Sequence, residues 1–230
     1  MVGSNRTKHD MTAPATLKIL KPAHARELSQ LIEIYQQAID PTEQKTAGEI
    51  ATMVSDPRYV LMVSEQGGAV NGFTITIFPA GADFFLLEYM AVAASGRGQR
   101  IGEALFQEAY RYGSTRGPAT MVLEVDEPGK SSNPDNDTDA RYRFYRRLGC
   151  RLGCRRIGSL GYILPLETGG APPPMMLLTH QVPALMSVSP ERLRHWLETI
   201  YVTVYQKSAV DPRIGSMISS AAASYPALPM

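Results

Sequence analysis

Apolar residues recur along the chain at two different spacings, and the switch between them outlines the elements. Leu28, Leu31, Ile32, Tyr35 and Ile39 share one helical face, with Pro22 near its start. Ala47 to Val54 reads as a second, shorter helix, closed by Asp56-Pro57. The period then becomes that of strands. Tyr59–Ser64 reads as one strand and Gln66–Asn71 as a turn. Gly72–Phe78 reads as a second strand, with Phe73, Ile75 and Ile77 alternating against Thr74 and Thr76. Phe84–Ala93 is apolar almost throughout, the pattern of a central strand. Ile101, Ala104, Leu105, Ala109 and Tyr112 mark a helix, and Ala119–Val125 the next strand. A polar loop, Asp126–Asp139, leads to a short helix that ends at Leu148, with Gly149 as its stop. Further strands are expected within Arg151–Leu164 and Met175–Gln181. The last helix has Ser189 as its cap, Pro190 at its first position, and a stripe of Leu193, Trp196, Leu197, Ile200 and Val204.

This order predicts a mixed α+β fold. Residues 1–14 read as a flexible polar leader and 15–182 as one domain. Residues 183–206 read as a C-terminal helical extension that caps the domain or makes a homodimer contact. Residues 207–230, which include the run Ser219-Ser220-Ala221-Ala222-Ala223-Ser224, read as a poorly ordered tail.

Composition narrows the function classes. With 23 Lys+Arg against 22 Asp+Glu, the chain has no global electrostatic footprint for nucleic acid or an anionic membrane. Two cysteines, Cys150 and Cys154, exclude a disulfide scaffold and make a reducing cytosol the default. The first residues lack the apolar run of a signal peptide, and no stretch is long enough to span a bilayer. The expected location is cytoplasmic.

The chemistry concentrates between Tyr89 and Leu105. A buried strand runs out, the chain turns through Gly96 and Gly98, and a helix containing Gly102 starts at once. A helix N-terminus offers unpaired N–H groups and the positive end of a dipole. Glycine lets a ligand approach the backbone, and Arg97 and Arg100 add charge, which makes an anion site suited to a pyrophosphate. The glycine spacing is one residue too long for a dinucleotide fingerprint, and Gly129-Lys130-Ser131 lacks the first glycine of a Walker loop.

Arg97-Gly98-Gln99-Arg100-Ile101-Gly102 resembles the Q/R-x-x-G-x-G/A signature of the GNAT superfamily of N-acetyltransferases, with Arg100 where the signature has its first glycine. Phe144-Tyr145-Arg146-Arg147-Leu148-Gly149-Cys150 resembles the family's F-Y-x-x-L-G-F segment. The resemblance implies a mostly antiparallel sheet, splayed between its fourth and fifth strands and flanked by helices. It implies acetyl-coenzyme A as cosubstrate, held by Met90, Ala91, Val92, Arg97, Gly98, Gln99, Arg100, Ile101, Gly102 and Glu103. It also implies Tyr145 as general acid on the departing thiolate. Thr138 stands where many members carry Asn.

Glu88 interrupts an apolar strand. Strand alternation puts it on the side of Met90 and Val92, as a general base or a structural ion pair, and Glu124 on the next strand is the rival base. The expected activity is transfer of an acetyl group to a primary amine of a small molecule or peptide by direct attack. The alternative is a non-catalytic acyl-coenzyme A sensor or scaffold. No metal is expected: the run Asp135–Asp139 lacks the Gly and Glu of a calcium loop, and the cysteines lack partners at zinc spacing. Arg141, Arg143, Arg146, Arg147, Arg151, Arg155 and Arg156 read as a solvated face or a contact for the coenzyme's 3′-phosphate.

Overall fold

The structure is a computed structural model that describes residues 14–128, 138–166, 174–218 and 224–230. The leader up to residue 13, most of the Asp126–Asp139 loop, Gly169–Pro173 and the 219–223 run lie outside the described residues.

The chain runs β1 (Thr16–Ile19), α1 (Ala25–Ala38), α2 (Ala47–Met53), β2 (Tyr59–Gln66), β3 (Ala69–Ile77), β4 (Phe84–Val92), α3 (Ile101–Ser114) and β5 (Thr120–Asp126). It continues with α4 (Thr138–Leu152), β6 (Arg155–Ile157), β7 (Tyr162–Ile163), β8 (Pro174–His180), β9 (Ser187–Val188), α5 (Pro190–Thr203), α6 (Pro212–Met217) and β10 (Tyr225–Pro229). The strands join in the order β1-β2-β3-β4-β5-β8-β6-β10-β9, with β7 on β8. Among the described residues every pairing is antiparallel except β4 with β5, which is parallel; a mostly antiparallel sheet is what the resemblance implied.

Local signals start two of the helices, the Ser189 cap as expected. Thr46 and Glu49 form a reciprocal cap on α2, and the Ser189 hydroxyl accepts from the Arg192 N–H at 3.2 Å to start α5.

Alternation along the central strands divides the core between two faces. Phe85, Leu87, Met121, Leu123 and Val125 pack against Phe106 and Ala109 of α3 and Leu148 of α4. Phe84, Leu86 and Val122 turn the other way, onto Leu193, Trp196, Leu197 and Ile200 of α5. Phe73 and Ile75 meet Leu31, Ile34 and Tyr35 of α1 on that second face. The expected C-terminal helical extension is thus a wall of the core. Its Trp196 is fully buried, and truncating a ring of that kind costs about 3–5 kcal/mol.

Two expectations need correction. Gly149 does not end α4, which runs on to Leu152; Gly153, at φ 79°, follows it. A Cβ at Gly149 would lie 2.5 Å from the Met230 Cβ, so close packing explains this glycine. Nor are residues 207–230 a structureless tail throughout. They supply α6 and β10, and β10 pairs with β6 and β9. Tyr225 and Ala227 point into the core while Pro226 and Leu228 face outward. The two prolines of Tyr225-Pro226-Ala227-Leu228-Pro229 disguise a strand that they tolerate only near a sheet margin.

Candidate active site

The parallel ladder between β4 and β5 holds only from Phe84↔Thr120 to Leu87↔Leu123. Past that rung β4 stays with β3 as far as Val92↔Gly72, and β5 stays with β8 as far as Asp126↔Met175. Each strand keeps its outer neighbour, so a gap opens between them. Among the described residues, no strand pairs with the edge of β4 that faces this gap. Backbone groups there are available to a ligand.

A bulge in β4 sets what lines the gap. Ile75 pairs with Tyr89 and Thr76 with Leu87, leaving Glu88 as the extra residue. The extra residue reverses the parity of everything after it. Met90 and Val92 pack on the α3 face, whereas Tyr89 and Ala91 pack on the α1 face. Glu88 is therefore not on the side of Met90 and Val92. Its carboxylate pairs with Lys45, which precedes α2, with Nζ 3.2 Å from Oε1. The same Nζ lies 3.4 Å from the Val204 carbonyl at the end of α5. The Glu88 side chain is only 3% exposed, and neither oxygen accepts a well-formed hydrogen bond among the described residues. Burial pushes its carboxyl above the usual range, and the Lys45 ammonium pulls it back.

A cleft of about 680 Å³, counted out to its mouth, follows the gap. It is lined by Glu43, Glu88, Glu124, Arg141, Tyr145 and Tyr205, with Met90, Leu164 and Met175 among the apolar walls. Glu124 follows Leu123, on the face of Val122. Its carboxylate accepts hydrogen bonds from the hydroxyls of Tyr162 and Tyr205, the latter at 2.9 Å. Burial raises it to about 7, against the pull of the two hydroxyls and with a further push from the charges of Glu88 and Glu43. Glu43, in the short turn Pro41–Glu43, is also raised to about 7, first by burial and then by the charge of Asp126. Asp126 itself pairs with Arg141 of α4.

Tyr145 enters from the opposite wall, on α4, in contact with the rings of Phe106 and Phe144. Burial raises its phenol well above the ordinary value, Arg141 opposing. It stays protonated, and so can donate, throughout the working pH range.

The turn before α3 has the expected shape. Arg97, Gly98, Gln99 and Arg100 are exposed, and Gly98 adopts φ 79° with open space where a side chain would stand. Arg100 caps α3 at φ 60°, ψ 15°, in the left-handed region where the signature has glycine, and makes no side-chain cap. The first-turn N–H groups of Ile101, Gly102 and Glu103 have no carbonyl within the helix to bond. These features fit a pyrophosphate. Gly102 has a second duty: a Cβ on it would come 3.1 Å from the Phe144 ring, so its bareness seats α4 against α3. The Glu103 carboxylate is held by Arg151 at 2.9 Å.

Sequence reading placed Glu88, Glu124, Tyr145 and the turn near one another. It missed Glu43, Lys45, Tyr162 and Tyr205, whose loops carry no period that would announce them. Two of its arginines, Arg141 and Arg151, are ion-paired, Arg151 while its side chain stays exposed. Cys154 is a buried thiol pushed up to about 12 by burial, which makes it a poor nucleophile. Among the described residues no helix is long and apolar enough to cross a membrane.

A splayed α/β sheet with an exposed, glycine- and arginine-bearing turn at the head of its central helix is the arrangement of an acyl-carrier transferase fold. The model of the acetyltransferase (GNAT) family matches residues 25–150, more than half of the chain, and the chain belongs to that family. Acetyl transfer, with coenzyme A as the acyl carrier, comes with that membership.

Solved structures agree on the fold. A GNAT-family protein from Bacteroides thetaiotaomicron superposes with TM-score 0.63 at 15% identity, over 84% of this chain and 99% of that one. An aminoglycoside 6′-N-acetyltransferase complexed with coenzyme A gives 0.56 at 19%, over 73% and 97%. The ribosomal-protein-S18-alanine N-acetyltransferase from Escherichia coli gives 0.53 at 21%, over 75% and 96%. No curated protein matches the sequence.

Proposed function

We propose that the protein transfers an acetyl group from acetyl-coenzyme A to an amine by direct attack, with Glu124 as general base and Tyr145 as general acid. The observation that carries this reading is the placement of a carboxylate raised to about 7 and a protonated phenol on opposite walls of one cleft. An acid and a base poised that way are what proton transfer at neutral pH requires.

Bound acetyl-coenzyme A would supply an activated acetyl group as a thioester. The N–H groups of Ile101, Gly102 and Glu103, with Arg97 and Arg100, would bind the pyrophosphate. The free edge of β4 at Met90–Val92 would orient the acyl arm and offer N–H donors to the thioester carbonyl. Glu124 takes a proton from the acceptor nitrogen as that nitrogen bonds to the acetyl carbon. Tyr145 gives its proton to the sulfur as the carbon–sulfur bond breaks. Tyr162 and Tyr205 hold the Glu124 carboxylate toward the cleft. Glu88, committed to Lys45, keeps the local field negative and the Glu124 carboxyl high.

The test is release of free thiol from acetyl-coenzyme A in the presence of a panel of amines. Amine-dependent release that disappears in Glu124→Gln is expected. Tight coenzyme binding with no release for any amine would leave a binding domain instead.

A further inference from the structure

Lys45 stands in a turn whose backbone is fixed from several sides. Its N–H donates to the Tyr35 hydroxyl of α1 at 2.7 Å, and the Tyr89 hydroxyl of β4 donates to the Glu43 carbonyl at 3.2 Å. The Gln44 side-chain amide donates to the Ile39 carbonyl at 2.7 Å and to the Gln36 carbonyl at 3.0 Å. Thr46 then caps α2 at once. A turn held in this way delivers the Lys45 ammonium inward, and the side chain is only 20% exposed.

Two groups share that ammonium, Glu88 Oε1 at 3.2 Å and the Val204 carbonyl at 3.4 Å. Both lead to Glu124. The Glu88 charge acts on Glu124 from β4. Val204 directly precedes Tyr205, whose hydroxyl donates to the Glu124 carboxylate. Tyr201 ties the same helix end to the Ile163 carbonyl, next to Tyr162, the other donor to Glu124. One cation therefore touches both the strand that charges Glu124 and the chain end that orients it.

The other titratable groups around this pair do not replace Lys45. Glu88 acts on Tyr35, Tyr59 and Tyr89, phenols that burial keeps protonated. Glu124 is surrounded by Tyr162, Tyr205, Glu88 and Glu43. Arg141 pairs with Asp126 and acts on Glu43. Among the described residues, Lys45 is the cation that acts on Glu88. A carboxyl buried as deeply as Glu88 takes up a proton when its cation is removed.

We propose that Lys45 is a positioning residue of the active site: it keeps Glu88 ionised, and it holds the end of α5 so that Tyr205 stays on Glu124. The proposal rests on the reading of Glu124 as the base.

The experiment follows kcat/KM against pH by thiol release. Carbon-13 NMR of the glutamate carboxyls gives a readout apart from turnover, the Glu124 resonance being the one lost in Glu124→Gln. Loss of a cation alone raises the inflection of a nearby carboxylate. Lys45→Met is expected to lower it instead, by on the order of one pH unit, because Glu88 becomes neutral and its push on Glu124 ends. In the Glu88→Gln background the same substitution should raise the inflection, since no charge on Glu88 is left to lose. Lys45→Gln keeps a donor for the Val204 carbonyl. It should lower the inflection while holding the alkaline plateau within about threefold. Lys45→Met should also lower that plateau by about tenfold, as should Tyr205→Phe. Lys45→Arg, charged and able to donate, should restore most of both and guards against a folding defect.

An inflection that rises or stays in place in Lys45→Met would overturn the proposal, as would a Lys45→Arg that behaves like Lys45→Met. A full plateau in Lys45→Met would overturn the hold on Tyr205. A wild-type inflection that survives in Glu124→Gln would count against Glu124 as the base, and the NMR titration of Glu124 would still decide the role of Lys45.

Discussion

Glu88 and Glu124 directly follow Leu87 and Leu123, the last residues that pair β4 with β5. Two carboxylates meet where the backbone ladder stops, so the feature that opens the gap also charges it. The charge of Glu88 raises the affinity of Glu124 for a proton, and of the two, among the described residues, only Glu88 has a cation to answer for it.

This arrangement fixes a pH dependence. With Glu124 raised to about 7, kcat/KM should climb as pH rises through that value, because only the carboxylate accepts a proton. Glu124→Gln should lose on the order of 10²-fold and the inflection with it. Glu88→Gln removes the charge that pushes Glu124 up and leaves Lys45 unopposed. Both effects move the inflection to lower pH. An inflection that survives intact in Glu124→Gln would assign the base elsewhere, with Glu43 next in line.

Stability should move against activity. Glu124 binds its proton more tightly folded, at about 7, than unfolded, near the ordinary 4.5. Between those values the native state holds the extra proton, so stability falls as pH rises from about 5 to 8. For one such group the loss is up to about 3 kcal/mol. Glu43 acts in the same direction, discounted for its exposure. Denaturant unfolding at several pH values should show Glu124→Gln matching the wild type near pH 5 and exceeding it near pH 8. Parallel curves for the two proteins would mean that Glu124 is not raised.

What the sequence made legible follows its periodic stretches. The run Phe84–Val92 and the stripe from Ile101 to Tyr112 announce the central strand and the helix after it. The turn between them carries enough glycine and arginine to mark an anion site. Glu88 stood out because a charge in an apolar strand is costly. Its partner was hidden, since Lys45 reaches it from a polar turn 43 residues earlier in the chain with no pattern to flag it. The bulge was hidden for another reason. A one-residue slip in pairing leaves no trace in composition, yet it alone separates Glu88 from Met90. Tyr162 and Tyr205 come from opposite ends of the C-terminal region and converge on Glu124 only through the sheet order.

Arg100 illustrates a position where the chain departs from its family at a structural cost. A left-handed conformation costs a side-chain-bearing residue about 1–2 kcal/mol, and glycine avoids it at some entropic expense. Arg100→Gly should therefore stabilise the fold by up to about 1 kcal/mol. Its affinity for coenzyme A should fall, with a shallower dependence on salt, because an exposed cation beside the first-turn N–H groups is lost. Thermal melts and binding titrations at two salt concentrations check both halves. A variant that is less stable yet binds as tightly would reverse the assignment of Arg100 from ligand contact to structural cap.

Tyr145→Phe separates the chemistry from the packing around it. The ring touches Phe106 and Phe144, and phenylalanine keeps those contacts, so α4 should stay in place. The hydroxyl is what changes. Burial has raised the phenol far above neutrality, so the hydroxyl is protonated at every pH at which the protein works. Its loss should therefore cost rate at all pH values alike, with no new inflection. The fall should be on the order of 10²-fold, in kcat and kcat/KM together, because the proton moves only in the transition state. Coenzyme affinity should hold within a few-fold, since the pyrophosphate site proposed above is on α3 and not on α4. The fall should also shrink for a thioester whose departing thiol is more acidic, because a better leaving group needs less help from an acid. Equal losses for both thioesters would place Tyr145 in packing or orientation and leave protonation of the sulfur to water.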